Sequence, residues 1–367
     1  MTETPKTDGA APVRAGSHKT AVRFLIAQAV FWGLWLAILG ATGARDRGVR
    51  LFLLNHTPDE LVVVNAENGA IEKRQAIADG LRKLVFSSDG KYAYISNAVD
   101  VTNKVTVLDA HSFLKTEVIP VDGIPQDLAI FPNNRYLAVV NGARTDFMAS
   151  GFDVIDLKEK SPSSPQRRMV LYRARDRKLV NSIRVSEDGK WVYVIDSKDS
   201  KVFRYDFEKR ELKDSVEIDG APIEMHFPKK GPYFFVSTIR RESVFVVDKD
   251  SFKIVKRIKV GRCRQMASNE DGSILYIPLT ETKDLAIVDV NAGRAVKFPD
   301  LPFKSEVIEM GPFYDKLYLV DTSVEGNLIC VDVKSLMEEN RKRVKVLWRR
   351  SLTGEFRDID VRPLGGS

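Results

Sequence analysis

The sequence predicts an all-β chain, a seven-bladed β-propeller whose N- and C-terminal strands close one blade, preceded by a single transmembrane α-helix. Three observations predict it. An apolar strand pattern ending in Asp or Asn occurs seven times, at intervals of 41 to 50 residues. The two ends of this repeat region carry complementary unpaired strand patterns, and one stretch of twenty residues near the start holds no charge. Several short strands per period of about 40 to 50 residues is the pattern of propeller blades.

In chain order the first element is a tail, residues 1–20, rich in Thr, Pro, Ala, Gly and Lys and expected to be flexible. Residues 24–43 (FLIAQAVFWGLWLAILGATG) follow. At about 1.5 Å per helical residue they match the hydrocarbon thickness of a bilayer, so a membrane helix and signal anchor is expected over 21–45. The competing reading is a signal peptide cut near Thr42, Gly43 and Ala44. Lys6, Arg14, Lys19 and Arg23 precede the helix; Arg45, Arg47 and Arg50 follow it. The asymmetry is slight; a short tail inside and the propeller on the periplasmic side of an inner membrane is the orientation expected. Ala29, Gly33, Ala37 and Ala41 recur every four residues beside Gln28, a strip of small side chains and one amide along which another membrane helix could pack. Gly and Ala are also simply common in such helices.

The propeller is expected over residues 48–363. Its repeat-ending strands are LVVVN, VTVLD, FDVID, VFRYD, VFVVD, LAIVD and LICVD, closing at Asn65, Asp109, Asp156, Asp206, Asp248, Asp289 and Asp332. A second strand precedes each of these at matched spacing, often behind a turn of the Asp-Gly type, as in SDGKYAYISN, EDGKWVYVID and EDGSILYIP. A further strand is entered through Gly123-Ile124-Pro125, Gly220-Ala221-Pro222 and, more loosely, Gly261-Arg262-Cys263. An outer strand such as FKIVKRIKV (252–260) completes the blade. At the C-terminus EFRDIDVRP (355–363) matches an innermost strand, while GVRLFLLN (48–55) is a second-type strand lacking one. Joining them seals the ring and removes open sheet edges.

The segments YAYISNAVDVTNKVTVLD (92–109) and WVYVIDSKDSKVFRYD (191–206) resemble the YVTN-repeat family of β-propellers, which is akin to bacterial lactonases and to the haem- or quinone-associated propellers of periplasmic dehydrogenases. The resemblance covers about residues 48–363 and specifies fold far better than function. Two departures stand out: Asn133-Asn134-Arg135 replaces the Asp-Gly turn in the third blade, and the hairpin KEKSPSSPQ (158–166) is enlarged. The resemblance also implies that ligands, where the family has them, sit at the channel rim by the Gly-x-Pro turns. In this chain that rim comprises Lys83, Asp127, Asn181, Glu224, Arg264, Glu306 and Arg357.

Little else points to chemistry. The net charge is +7, but acidic residues interleave with the basic ones and no nucleic-acid module accompanies them, so no nucleic-acid partner is expected. Two locally basic runs, 167–178 and 341–350, alternate with apolar residues as solvated outer strands do; an acidic partner protein is the sharper reading. Cys263 and Cys330 form no C-x-x-C pair and are expected as free buried thiols. His18, His56 and His111 have no partner at ligand spacing, so neither a metal nor a cofactor is expected.

No catalytic residue is assigned. The expectation is a non-catalytic, membrane-anchored scaffold that binds the integral subunits of a larger respiratory or photosynthetic electron-transfer complex. The alternative is a lactonase-like hydrolase or cyclase, with His226 and Glu224 as bases and Arg264 or Arg357 stabilising an oxyanion.

Overall fold

The strand patterns assemble into seven antiparallel sheets of four strands. The computed structural model describes residues 48–98, 103–142, 151–159, 168–173, 180–323, 325–338 and 344–363. Blade I contains β28 (Phe356–Pro363), β1 (Val49–His56), β2 (Asp59–Asn65) and β3 (Ile71–Ala76). Blade II holds β4 (Leu81–Phe86), β5 (Tyr92–Asn97), β6 (Lys104–Asp109) and β7 (Lys115–Pro120). Blade III holds β8 (Ile124–Ile130), β9 (Tyr136–Gly142), β10 (Gly151–Asp156) and β11 (Arg168–Arg173). Blade IV holds β12 (Val180–Val185), β13 (Trp191–Asp196), β14 (Lys201–Asp206) and β15 (Glu211–Glu217). Blade V holds β16 (Pro222–His226), β17 (Tyr233–Thr238), β18 (Ser243–Asp248) and β19 (Ile254–Lys259). Blade VI holds β20 (Ala267–Ser268), β21 (Ile274–Pro278), β22 (Leu285–Asp289) and β23 (Arg294–Phe298). Blade VII holds β24 (Ser305–Met310), β25 (Lys316–Asp321), β26 (Asn327–Asp332) and β27 (Val346–Ser351), with one short helix, α1 (Val333–Leu336), after β26.

Closure follows the expected pairing. β28 runs antiparallel to β1 from Val49 opposite Pro363 to Asn55 opposite Phe356, so the last strand of the chain is the innermost strand of the first blade. Side chains then close the ring a second time. Seven apolar clusters fill the seven interfaces between neighbouring blades, and the one joining I to VII packs Leu51, Leu53 and Val62 against Tyr318, Val320 and Leu328. Each fully buried Leu, Val or Phe in such a layer stabilises by roughly 1.5–3 kcal/mol, so no blade can leave without exposing two layers. Cys330 lies in the I–VII layer and Cys263 in the V–VI layer; both are buried free thiols, as expected.

The repeat-ending Asp and Asn residues have a local cause. In six of the seven copies the side-chain oxygen accepts a backbone N–H two or three residues on, which turns the chain into the outer strand. In the seventh, Asp332 precedes α1 and its carboxylate instead accepts from Lys345 Nζ at 3.3 Å. The blade III turn without Asp-Gly works because Asn134 itself adopts the left-handed conformation (φ 54°), which Asn tolerates better than other side chains.

Six innermost strands share a feature that simple alternation does not contain. The pairing slips by a residue between Leu81 and Lys83, Pro125 and Asp127, Pro222 and Glu224, Ser305 and Val307, and opposite Leu54/Asn55 on β28; in blade IV it slips between Val180 and Ile183. A bulge puts successive residues on one face. The channel mouth is therefore lined by adjacent pairs such as Arg82 with Lys83 and Arg357 with Asp358.

The tail and the expected membrane helix, including Gln28, Ala29, Gly33, Ala37 and Ala41, lie outside the described residues, as does most of the enlarged hairpin. Among the described residues no helix is long and apolar enough to cross a membrane.

Candidate functional site

The innermost strands bring their polar residues to the axis of the ring. The cavity at the mouth has a volume of about 380 Å³ and is lined by all seven of the expected rim residues: Lys83, Asp127, Asn181, Glu224, Arg264, Glu306 and Arg357. They do not stand at one level. Lys83, Asp127 and Glu224 follow their bulges, whereas Arg357 and Glu306 are the bulged residues themselves.

The outer level is open to water. The Arg264 and Arg357 side chains are more than half exposed. Arg264 Nη1 reaches Glu306 Oε2 at 3.3 Å, Arg357 Nη2 reaches Glu355 Oε2 at 3.3 Å, and Asn181 Nδ2 donates to Ser197 Oγ at 2.6 Å. Exposed pairs of this kind contribute about 0–1 kcal/mol, so these cations stay available to an incoming anion.

The inner level is a cross-linked layer. Lys83 Nζ of blade II lies 2.8 Å from Asp358 Oδ1 of blade I, and the Leu84 N–H donates to the other oxygen of Asp358 at 2.9 Å. Asp127 Oδ2 of blade III accepts from Arg184 Nη1 at 2.7 Å, Ser182 Oγ at 3.0 Å and the Ile183 N–H at 3.0 Å, while its Oδ1 takes the Leu128 N–H at 2.9 Å. Arg184 of blade IV spans onward to Glu224 of blade V. Burial works against the charge on Arg184, yet Asp127 and Glu224 outweigh it and hold the guanidinium protonated. Burial likewise opposes the Lys83 ammonium, and Asp358 with Asp127 more than restores it.

Beneath this layer lie two smaller cavities of about 300 and 250 Å³. Glu309 borders both, and burial first, then Asp360 and Asp358, push its carboxyl up to about 8 against the opposing pull of Lys83. It is therefore largely neutral near pH 7. Asp360 is paired with Arg362 Nε at 3.3 Å.

His226 borders one of these inner cavities and not the mouth. Its Nε2 lies 2.8 Å from Ser268 Oγ, and that hydroxyl donates to the Asn269 carbonyl at 2.8 Å, so the imidazole carries its proton on Nε2. Burial, with Arg184 and Lys249 adding, lowers its pKa to about 3. The four residues of the hydrolase alternative thus divide: Arg264, Arg357 and Glu224 face the mouth, and His226 sits below the charged layer with Glu224 beside it.

Arg184, Asp358, Glu309 and Asp360 were not anticipated from sequence. A partial signal lies in VNSIRV (180–185) and DIDVR (358–362), whose Asn181, Arg184, Asp358 and Asp360 line the channel cavities. Among the described residues no cluster of His, Cys, Asp or Glu could hold a metal ion.

Comparison with known proteins agrees on the fold and stops there. No protein-family model matches the chain, and no curated protein matches it. Among solved structures it is similar to a periplasmic gluconolactonase of Pseudomonas aeruginosa (15% identity, 85% of this chain and 98% of that one, TM-score 0.67). It is also similar to a hydrazine synthase chain of Kuenenia stuttgartiensis (18%, 79% and 92%, TM-score 0.62) and to a dihydro-haem d1 dehydrogenase (13%, 86% and 75%, TM-score 0.64). The chain is a seven-bladed β-propeller of the shape shared by lactonases and by propellers of haem and hydrazine enzymes.

Proposed function

We propose that this propeller is a non-catalytic interaction subunit. Residues 24–43 anchor it in the inner membrane, the propeller stands on the periplasmic side, and it steadies a larger membrane complex of the electron-transfer type. One observation carries the reading: Lys83, Asp127, Arg184, Glu224 and Asp358, the charged residues around the channel axis, are committed to one another. Asp127 accepts four hydrogen bonds, Asp358 holds Lys83 and a backbone N–H, and Arg184 ties Asp127 to Glu224. A general base has to be free to take a proton. This layer instead ties blade I to blade II and blades III to V to one another around the axis, which suits a rigid platform. The few residues between the apolar stretch and β1 favour a propeller held close to the bilayer. Blue-native electrophoresis of mildly solubilised membranes tests this: the chain should migrate within a much larger particle, and migration as a lone 41.3 kDa chain in detergent would sink it.

The exposed guanidinium groups at the mouth favour a second reading, a lactonase-like hydrolase using Glu224, His226, Arg264 and Arg357. Turnover of a lactone panel that falls at least 100-fold in Glu224→Gln would establish it in place of the first.

A further inference from the structure

The outer strands of the seven blades do not share charge evenly. Outer strands β3, β7 and β15, of blades I, II and IV, each contain at least one acidic residue. In blades V, VI and VII, which follow one another round the ring, β19 (IVKRIK), β23 (RAVKF) and β27 (VLWRRS) carry seven Lys or Arg and no Asp or Glu. Among the described residues none of these seven cations is in an ion pair. What holds several of them is neutral: Lys256 Nζ donates to the Val290 and Asn291 carbonyls, both at 2.8 Å. Arg349 donates through Nε and Nη2 to Asn327 Oδ1 at 3.1 and 2.9 Å, and Arg350 donates to the Gly69 and Asn68 carbonyls at 2.9 and 3.1 Å.

These side chains are thus oriented without being neutralised. Blade III shows the contrast, because Arg168 on β11 is met by Asp122 Oδ1 at 2.7 Å. Exposed aliphatic residues are set between the cations on the same three strands: Ile254, Val255, Val296, Val346 and Leu347, from 37% to 60% exposed. Isolated exposed aliphatics are ordinary. A run of them interleaved with uncompensated cations over three adjacent blades gives the wall an apolar contact area with a fixed positive pattern.

We propose that the outer wall of blades V to VII is the docking face of this propeller and that its partner is a protein surface rich in Asp and Glu. The inference rests on the reading of the chain as an interaction subunit and names the face and chemistry that reading leaves open. Charge complementarity selects the partner's sign, and fixed geometry selects protein over lipid. Cations on one strand face recur about every 6.6 Å, and guanidinium forks held by backbone and amide oxygens match carboxylates that are themselves held in place. A bilayer surface asks only for mobile cations.

Zero-length carbodiimide cross-linking of native membranes tests this, since the reagent joins a lysine amine directly to a carboxylate. The tagged full-length chain is then purified in mild detergent and its cross-linked peptides are identified. Expected are links from Lys256, Lys259 or Lys297 to Asp or Glu of a co-purifying subunit. In the triple variant Lys259→Glu, Arg294→Glu, Lys297→Glu, recovery of that subunit should fall at least tenfold. Lys115→Glu and Lys213→Glu on β7 and β15 should leave it unchanged, with all variants matching the parent in thermal unfolding. Co-purification that survives the triple reversal, with links confined to β7 or β15 or to no lysine of this wall, overturns the docking face while leaving the interaction reading intact. Absence of any co-purifying subunit from the parent chain overturns both.

Discussion

Lys83 and Asp358 meet at 2.8 Å across 275 residues of sequence, joining the innermost strand of blade II to the strand that closes the ring. Asp358 is almost wholly buried and also accepts the Leu84 N–H, so the seam is fastened by charge as well as by the β1–β28 ladder. Removing one partner leaves the other charge buried and alone. Asp358→Ala should therefore cost about 3–5 kcal/mol. The double variant Lys83→Met, Asp358→Ala should lose less than the two singles combined, with a coupling of about 1–3 kcal/mol in urea unfolding. Additive losses would show that the pair fastens nothing.

Glu309 should make the propeller less stable as pH rises. Its folded pKa, about 8, lies above the unfolded carboxyl value near 4.5, so between those values the folded state binds the extra proton. The cost is absent below about pH 4.5, grows through the window and is complete above pH 8, reaching an order of a few kcal/mol. Glu309→Gln should abolish that share of the slope, gaining on the parent at pH 8 relative to pH 5. Parallel stability curves for the two proteins would contradict the assignment.

His226 is expected to be silent where histidines ordinarily titrate. Its pKa, lowered to about 3 by burial with Arg184 and Lys249 adding, is below the unfolded value of 6.5. The stability it contributes is present above pH 6.5 and is lost as pH falls towards 3. Its imidazole resonances in nitrogen-15 spectra should stay those of a neutral ring protonated on Nε2 from pH 8 to pH 5. A midpoint between 6 and 7 would return His226 to the set of possible bases.

The seam between blades VII and I has a steric test. Gly69 is buried with φ at +70°, and a Cβ there would meet Trp348 Cε3 at 2.6 Å. Arg350 meanwhile donates to the Gly69 carbonyl, so the loop cannot swing aside without losing that bond. Gly69→Ala should cost about 1–3 kcal/mol. An unchanged melting temperature would mean that this seam yields more easily than its packing implies.

The blade count, the closing pair of strands and the free cysteines were legible because each is written as a repeated pattern: Asx at a strand end, Gly in a hairpin, alternation buried on one face. The channel was legible only in outline. Strict alternation turns every second residue of an innermost strand to the axis, but the bulges turn the neighbours Arg82 and Lys83, and Arg357 and Asp358, together into the mouth. An inserted residue leaves no mark in composition, so the rim position on the closing strand reads as Arg357 alone and its neighbour Asp358, which completes the ion pair with Lys83, is not legible. The basic wall was visible in single strands such as FKIVKRIKV, but its continuity over three blades is a property of the closed ring.

Single-particle imaging of the complex purified from native membranes through a tag on this chain decides whether the propeller is a docked subunit. One seven-bladed ring per particle is expected, seated at a fixed angle on a larger membrane-embedded assembly with the wall of blades V to VII against it. Rings carried alone on an otherwise empty detergent micelle, with no second protein in contact, would contradict the docked-subunit reading.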